Sequence, residues 1–503
     1  MARIAVIGAG AGALAAAARL AVAGHRVAVY ERTETYGGAV RRLERDGFAF
    51  DTGPGLLTLP AVWRDLFLKT GKEPLEDCVE LVQVDPSARH VFADGTEVAL
   101  PDASRAGVVA ALDEALGAGA GARWGDFLVR AREAWDRSRR PLLEEPLWPN
   151  WDVLAGREPY PAVPHKRLLR TRRAATLAEV GAWELRDPRL TALLESHALA
   201  YGLDPEAAPA NAAVLPYMEH AFGTWYVRGG LRELARAVYE RCLARKVEFH
   251  FGAEVTGVLE NDGRAAGVEL ADGSVAEADL VVGSGPWRLG GLTHGRELYG
   301  AADVRPRPEP LTPGRVVVCL ALRGARAAGA AHRTVVHTPD RRAELDAFRR
   351  AEPAALPTVR VDRPDDPALR PDEEHESVVL TATAPPHTPY DWTAPGAAGS
   401  FADRMVEAAE RAVPGLRERT LWREVRTPAH THAETGAEGG GVPAPALAAA
   451  EGAFLFPANS TRVPGLFTVG GWSHPGGGLA HAGMSGALVA GLIVEGPGFQ
   501  GSQ

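Results

Sequence analysis

A short apolar run from Arg3 to Ile7 breaks into Gly8-Ala-Gly10-Ala-Gly12-Ala13 and continues as an alanine-rich stretch to Ala23. The run suits a buried parallel strand. Gly8 permits a tight turn, and Gly10 leaves the backbone bare where a pyrophosphate would lie against it; the third small position of the pattern is Ala13. A helix over Ala13 to Ala23 would turn the N–H groups and positive end of its first turn toward the phosphates. A second apolar strand, Arg26 to Tyr30, ends in Glu31. An acid at that spacing accepts hydrogen bonds from both hydroxyls of an adenosine ribose, and it disfavours a 2′-phosphate, so FAD or NAD fits better than NADP. An alanine-rich core helix beside loop glycines is the competing reading, and it does not account for strand, glycines, helix, strand and acid in that order.

The far end carries a second signature, Gly465-Leu-Phe-Thr-Val-Gly470-Gly471-Trp-Ser-His474-Pro475-Gly476-Gly477-Gly478. Leu466–Val469 reads as a buried strand. Gly470 and Gly471 would make room for a ribityl–phosphate chain, and His481 to Ile493 reads as a helix. The N–H groups that open it, around Gly478, Leu479 and Ala480, would face the pyrimidine edge of a flavin and stabilise the negative charge of its reduced form. A nucleotide anchored at the start of a chain and a reactive ring held at its end is the layout of an FAD oxidoreductase. An NAD-dependent dehydrogenase has no second nicotinamide fingerprint in its favour. His474 reads two ways: as a base for the proton that leaves beside a departing hydride, or as a structural histidine that shapes the loop. His481 is similarly placed.

The chain has 503 residues, 46% of them hydrophobic, enough for two or three domains of about 100–200 residues each. Its net charge of −9 argues against nucleic acid as a partner. Cys78, Cys242 and Cys319 are far apart and form neither a metal-like spacing nor a disulfide framework, so a cytoplasmic location is expected. No uninterrupted apolar run reaches the ~18 residues of a membrane span. Arg19 interrupts the opening apolar stretch, which is read as mature protein and not as a signal peptide.

Between the two signatures, His90–Phe92 and Glu97–Ala99 read as a hairpin around Asp94-Gly95. Arg-rich helical segments run from Ser104 to Leu199, with Pro-rich interruptions at 141–164. Leu231–Leu243 has helical periodicity, and short strands with turns at Asn261-Asp262-Gly263 and Asp272-Gly273 lead to Gly283-Ser284-Gly285. Further strands are expected at Arg315–Leu322, Arg333–His337 and Ser377–Thr383, with helices at Ala343–Ala351 and Ala402–Ala412.

As a set, five stretches resemble the phytoene desaturase (carotenoid desaturase) family of flavoproteins. They are Gly8 through Pro60, including Gly37-Gly38 and Asp51-Thr-Gly53-Pro54; Tyr217 through Leu231; His332 through Asp340; Thr435 through Gly440; and His474 through Gly478 with Ser485-Gly486. The resemblance implies an α/β fold: a discontinuous Rossmann-type, glutathione-reductase-like FAD-binding domain over 1–75, 216–298 and 440–503. An α+β substrate domain over 76–215 and 299–439 would be inserted in it. It implies FAD as cofactor, a carotenoid or other apolar isoprenoid as substrate, and desaturation by hydride transfer to the flavin. Gly53 and Pro54 would lie near the isoalloxazine, and Val255 would hold the adenine through its backbone. The family usually has Arg after the Gly-Gly pair, where this chain has Ala39, so either Arg41 or Arg42 takes that role or the contact is lost. Trp225 and Tyr226 read either as the lining of an apolar channel or as core. The other open functions are an FAD-dependent desaturase or oxidase for a non-carotenoid natural product, and a non-catalytic flavin-binding partner in a biosynthetic complex. An insoluble substrate would call for peripheral membrane contact. The stretch Arg123–Arg173, with Trp124, Trp135, Trp148 and Trp151, is the expected contact, unless it is an amphipathic helix packed on the core.

Overall fold

The computed structural model describes residues 1–147, 151–164, 171–284 and 312–501. Arg3–Ile7 sits at the centre of a five-stranded parallel sheet, paired with Arg26–Glu31 on one side and Leu280–Ser284 on the other. Glu248–Phe251 and Leu466–Val469 complete the two edges. The central strand is apolar from Ile4 to Ile7 because both faces are covered. Ile4 and Val6 face a core with Leu14, Leu20, Val238, Val469 and Val489. Ala5 faces the other way, with Val281, Leu466 and Val268. The first core is built by the helices Ala11–Val22, Leu231–Ala244 and Leu479–Glu495. The second is roofed by an antiparallel meander of Val255–Asn261, Arg264–Leu270 and Val275–Glu277.

The first and last helices approach closely, and glycine is what permits it. A Cβ on Gly12 would stand 2.8 Å from the Gly470 Cα and 2.9 Å from the Ala482 carbonyl oxygen. One on Gly486 would stand 2.6 Å from the Gly12 carbonyl oxygen. The sequence pattern assigns close packing to its third small position, Ala13; the fold places the tightest contact at Gly12.

A second, seven-stranded sheet has the order Thr420–Arg426, Gly314–Arg323, His375–Ala384, Val359–Asp362, Arg333–Val336, Ala88–Val91, Glu97–Leu100. The expected hairpin near residue 90 is thus the edge of a large sheet, joined to Arg333–Val336 in parallel. One face carries Val316, Val318, Leu320, Val361 and Leu380 against Phe401 and Met405 of the helix Ala397–Ala409. The opposite face turns toward the parallel sheet, with Val317 and Cys319 resting on Phe48 and Phe50 of the hairpin Arg42–Arg45/Phe48–Asp51.

The helices between residues 105 and 222 form a further core around Leu112, Phe127, Leu190 and Leu194. Here one expectation is corrected. In the helix Ala120–Arg139 the indoles of Trp124 and Trp135 are 3% and 6% exposed, turned into that core. The outward arginines are paired: Arg132 with Asp136, Arg137 with Glu133, Arg139 with Glu144 and Arg140 with Glu145. Over Ala120–Arg139 the chain is an amphipathic helix packed on the protein, the second of the two readings. Trp148, Gly285 and the expected boundary at 298/299 lie outside the described residues. Among the described residues no helix is long and apolar enough to cross a membrane.

Candidate functional site

A cavity of about 520 Å³ opens where the parallel strands end and the second sheet hangs over them. Both sequence signatures reach it. Gly8, Gly10, Gly12, Glu31, Gly37 and Gly38 line one part, and Gly470, Gly471, Gly478, Leu479 and Ala480 another, with Pro54 and Val255 on its wall. The helix starting at Ala11 has Gly10 as its N-cap and the one starting at Leu479 has Gly478; neither has a side-chain cap. Two sets of first-turn N–H groups are therefore free for a ligand at one cavity, which favours an anionic group at each. Gly10 is held in the extended region at φ −73 and ψ 166, and a Cβ there would meet only the Ser284 Oγ, at 3.5 Å. The protein leaves that position bare on its cavity side.

Glu31 is 7% exposed and already carries three hydrogen bonds. The Ala9 N–H donates to Oε2 at 2.8 Å, and the Thr33 N–H and hydroxyl donate to Oε1 at 2.9 and 2.8 Å. Oε2 accepts only the Ala9 N–H and keeps a second lone pair, so a ribose hydroxyl can still be accepted there. The same carboxylate ties the glycine turn to the segment after its strand.

The fit to FAD is therefore specific: two uncapped helix ends for phosphate and pyrimidine, a bare glycine turn, and an acid with acceptor capacity. The sequence profile of the flavin containing amine oxidoreductases matches residues 12–293. The chain belongs to that family. Over its whole length it is similar to a 4,4'-diapolycopene oxygenase of Methylomonas sp, with 29% identity covering 98% of each chain. It is also similar to a zeta-carotene-forming phytoene desaturase of Myxococcus xanthus, with 30% identity covering 99% of this chain and 95% of that protein. An oxidoreductase from Methanosarcina mazei shares the fold, with a TM-score of 0.62 at 18% identity over 97% of this chain and 99% of that one. The protein is an FAD-dependent oxidoreductase.

Several expected site residues of this amine oxidoreductase family member stand away from the cavity. Arg41 donates to the Gly38 carbonyl at 3.0 Å and the Thr33 hydroxyl at 3.1 Å, bracing the glycine pair from behind. Arg42 pairs with Glu44 and Glu233. Neither takes the flavin-facing place left by Ala39, which itself lines the cavity. Gly53 packs against the Ala39 carbonyl, where a Cβ would come within 2.0 Å of the oxygen. Ala13 is wholly buried in the first helix. Trp225 and Tyr226 lie in a strand paired with Leu81–Gln83; the indole N–H donates to the Phe222 carbonyl at 2.9 Å and the phenol to Asp366 at 2.7 Å. Neither lines the cavity.

His474 is also off the cavity, fully buried, with Nε2 at 2.9 Å from the Glu145 carbonyl. Burial pushes its imidazole down to about 4, so it is neutral and donates that hydrogen bond. Its own carbonyl accepts from Asn459 Nδ2 at 2.8 Å, and the same amide donates to the Ser485 hydroxyl at 3.1 Å. This network fastens the C-terminal loop to the last helix. Asn459 gave no signal in the sequence, since a lone buried amide belongs to no motif.

His481, in the first turn of the last helix, does line the cavity; burial and the nearness of His474 hold it down to about 4. Sequence reading also passed over the roof. Arg315, Arg333 and Arg360 reach the cavity from three strands of the second sheet, beside Glu219, His197 and Tyr201. Period two was the available signal: it puts Arg315 on the face of Val317 and Arg333 on that of Val335, opposite Val316 and Val336. Among the described residues no group of three His, Cys, Asp or Glu side chains is placed to hold a metal ion.

Proposed function

We propose that this flavoprotein is a desaturase that introduces C=C bonds into a carotenoid or other isoprenoid. The supporting observation is that one cavity joins both nucleotide elements to the underside of the second sheet, so a substrate there would lie beside the flavin. The named activities of its full-length relatives favour the same chemistry. FAD bound at the two helix ends would supply the hydride acceptor, reoxidised by oxygen or a quinone. The last helix directs its first N–H groups at the developing negative charge. The second sheet, seated on the Phe48–Asp51 hairpin, forms the roof of the site.

The proton lost from the neighbouring carbon needs an acceptor on the wall. We assign it to His481 and not to His474, because His481 is the neutral imidazole of the C-terminal signature that lines the cavity. The substrate would be delivered from a lipid phase by peripheral contact, through a surface other than the Ala120–Arg139 helix.

The test is incubation of the FAD-loaded protein with liposomes containing phytoene or later carotenoids, with oxygen or a quinone as acceptor. New polyene absorption, with a mass loss of two hydrogens per double bond, is expected. Flotation of the protein with anionic liposomes at low salt tests the delivery step. A protein that holds FAD, is reduced by dithionite, and leaves every carotenoid unchanged would overturn the desaturase reading.

A further inference from the structure

The roof of the cavity carries three guanidinium groups and only two carboxylates to meet them. Arg333 Nη1 lies 3.1 and 3.2 Å from the two oxygens of Glu219, and its Nε lies 3.7 Å from Asp362. Arg360 Nε donates to the other Asp362 oxygen at 2.8 Å. Arg315 donates to the Ala200 carbonyl, and among the described residues it forms no ion pair. Burial, with the like charge of Arg360, holds its guanidinium down to about 10, so it stays protonated at neutral pH.

The position of this unmatched cation is informative. A second cavity, of about 430 Å³, shares Ser196, Ala200, Arg315, Val335 and Arg360 with the first. Beyond those residues it is lined by apolar groups such as Leu199, Leu203, Phe348 and Ala384, and its carboxylates are already engaged: Asp204 with Arg349, Glu352 with Arg350 and Glu344 with Thr358. Arg315 therefore stands at the junction between the flavin side and an apolar compartment. A pure hydrocarbon lying there would strip water from a charged group and return nothing. A carboxylate would satisfy it with a charge-assisted, fork-shaped pair.

We propose that Arg315 anchors a carboxylate on the substrate, so that this enzyme prefers an isoprenoid acid to the unmodified hydrocarbon. The apolar chain of that acid would fill the outer cavity or reach toward the flavin. This deepens the desaturase reading given above and rests on it for the identity of the hydrocarbon part.

The test uses the FAD-loaded, full-length protein and a matched pair of probes, all-trans-retinoic acid and its methyl ester, with binding followed by quenching of flavin and tryptophan fluorescence. The acid is expected to bind about tenfold to a hundredfold more tightly than the ester. R315Q should erase the difference while keeping FAD content and visible spectrum, and R315K should keep part of it. Equal binding of acid and ester by the wild-type protein refutes the anchor, whether or not R315Q folds; so does a preference that survives in R315Q. The two proposals fail separately. Desaturation of phytoene with no preference for acids leaves the desaturase reading standing and removes the anchor. Tight, Arg315-dependent binding of the acid without dehydrogenation of any polyene does the reverse.

Discussion

Gly486→Ala sets two effects of similar size against each other. Gly486 lies inside the helix Leu479–Glu495, where alanine is intrinsically better than glycine by about 1 kcal/mol. The new methyl would, however, stand 2.6 Å from the Gly12 carbonyl oxygen, 2.7 Å from the Ala15 Cβ and 2.8 Å from the Ala16 nitrogen. Two of these are backbone atoms of the facing helix, so no side chain can swing aside. That helix would have to retreat by roughly 1 Å to regain ordinary contact at about 3.5 Å. Overpacking of this kind costs about 1–3 kcal/mol, and with backbone on the receiving side the upper end applies. The net expectation is a loss of about 2 kcal/mol, with FAD bound at least tenfold more weakly because the two helix ends that would hold it are driven apart. Gly125→Ala is the control. It also lies inside a helix, but its Cβ would meet only the Val109 Cγ2, at 3.5 Å, so it should gain up to about 1 kcal/mol. Urea denaturation and titration of the apoprotein with FAD measure both quantities. A Gly486→Ala protein as stable as wild type, with unchanged FAD affinity, would refute the claim that this close approach builds the site.

Gly10→Val should fold and lose FAD, because its Cβ would meet only the Ser284 Oγ, at an ordinary contact distance of 3.5 Å, while the side chain would occupy the pyrophosphate's place; circular dichroism and bound-flavin absorbance separate the two. Glu31→Ala should weaken FAD binding and also destabilise the apoprotein, by about 1–3 kcal/mol, since three protein hydrogen bonds leave with the carboxylate; an apoprotein of unchanged stability would contradict that dual role. His481→Gln should lower turnover with FAD still bound, whereas His474→Gln should loosen the C-terminal loop and reduce FAD retention; the opposite pattern in steady-state kinetics would return the proton-accepting role to His474. Because both imidazoles are held down to about 4 in the folded protein, they bind fewer protons there than in the unfolded chain. Their contribution to stability is fully present above about pH 6.5 and is lost as pH falls toward 4, and the double glutamine variant should flatten this part of the stability–pH curve.

The nucleotide-binding half of the fold was legible because its physics is local. Strand, turn glycines, helix and acid follow one another within Arg3–Glu31, and the closing strand–glycine–helix unit lies within Leu466–Glu495. The strand Gly314–Arg323 and the helices Leu231–Ala244 and Arg341–Arg349 were likewise announced by their periodicity. Pairing across long separations was not. Nothing in Ala88–Val91 says that it adds to Arg333–Val336 in parallel, and Val359–Asp362 and Thr420–Arg426 gave no strand signal of their own. The site residues divide in the same way. Glycines that must be bare can be read from their motif. Whether Arg41, Trp225, Tyr226 or His474 faces the cavity depends on which neighbour takes its hydrogen bond, and those neighbours come from elsewhere in the chain. Arg315 became visible as unmatched only once the carboxylates around it could be counted in space.

The contact between the first and last helices also sets a timetable for biosynthesis. Residues 11–22 leave the ribosome well before residues 479–495, which make up much of the surface they bury against. At about 5–20 residues per second, the alanine-rich helix would wait roughly half a minute to a minute and a half for its partner. During that interval its apolar face must be shielded by chaperones or by transient contacts, and the cofactor site lacks one of its two walls. FAD loading is therefore an event that follows synthesis, and a chain that stops short of the last helix would have lost both its cofactor site and the cover for its first helix.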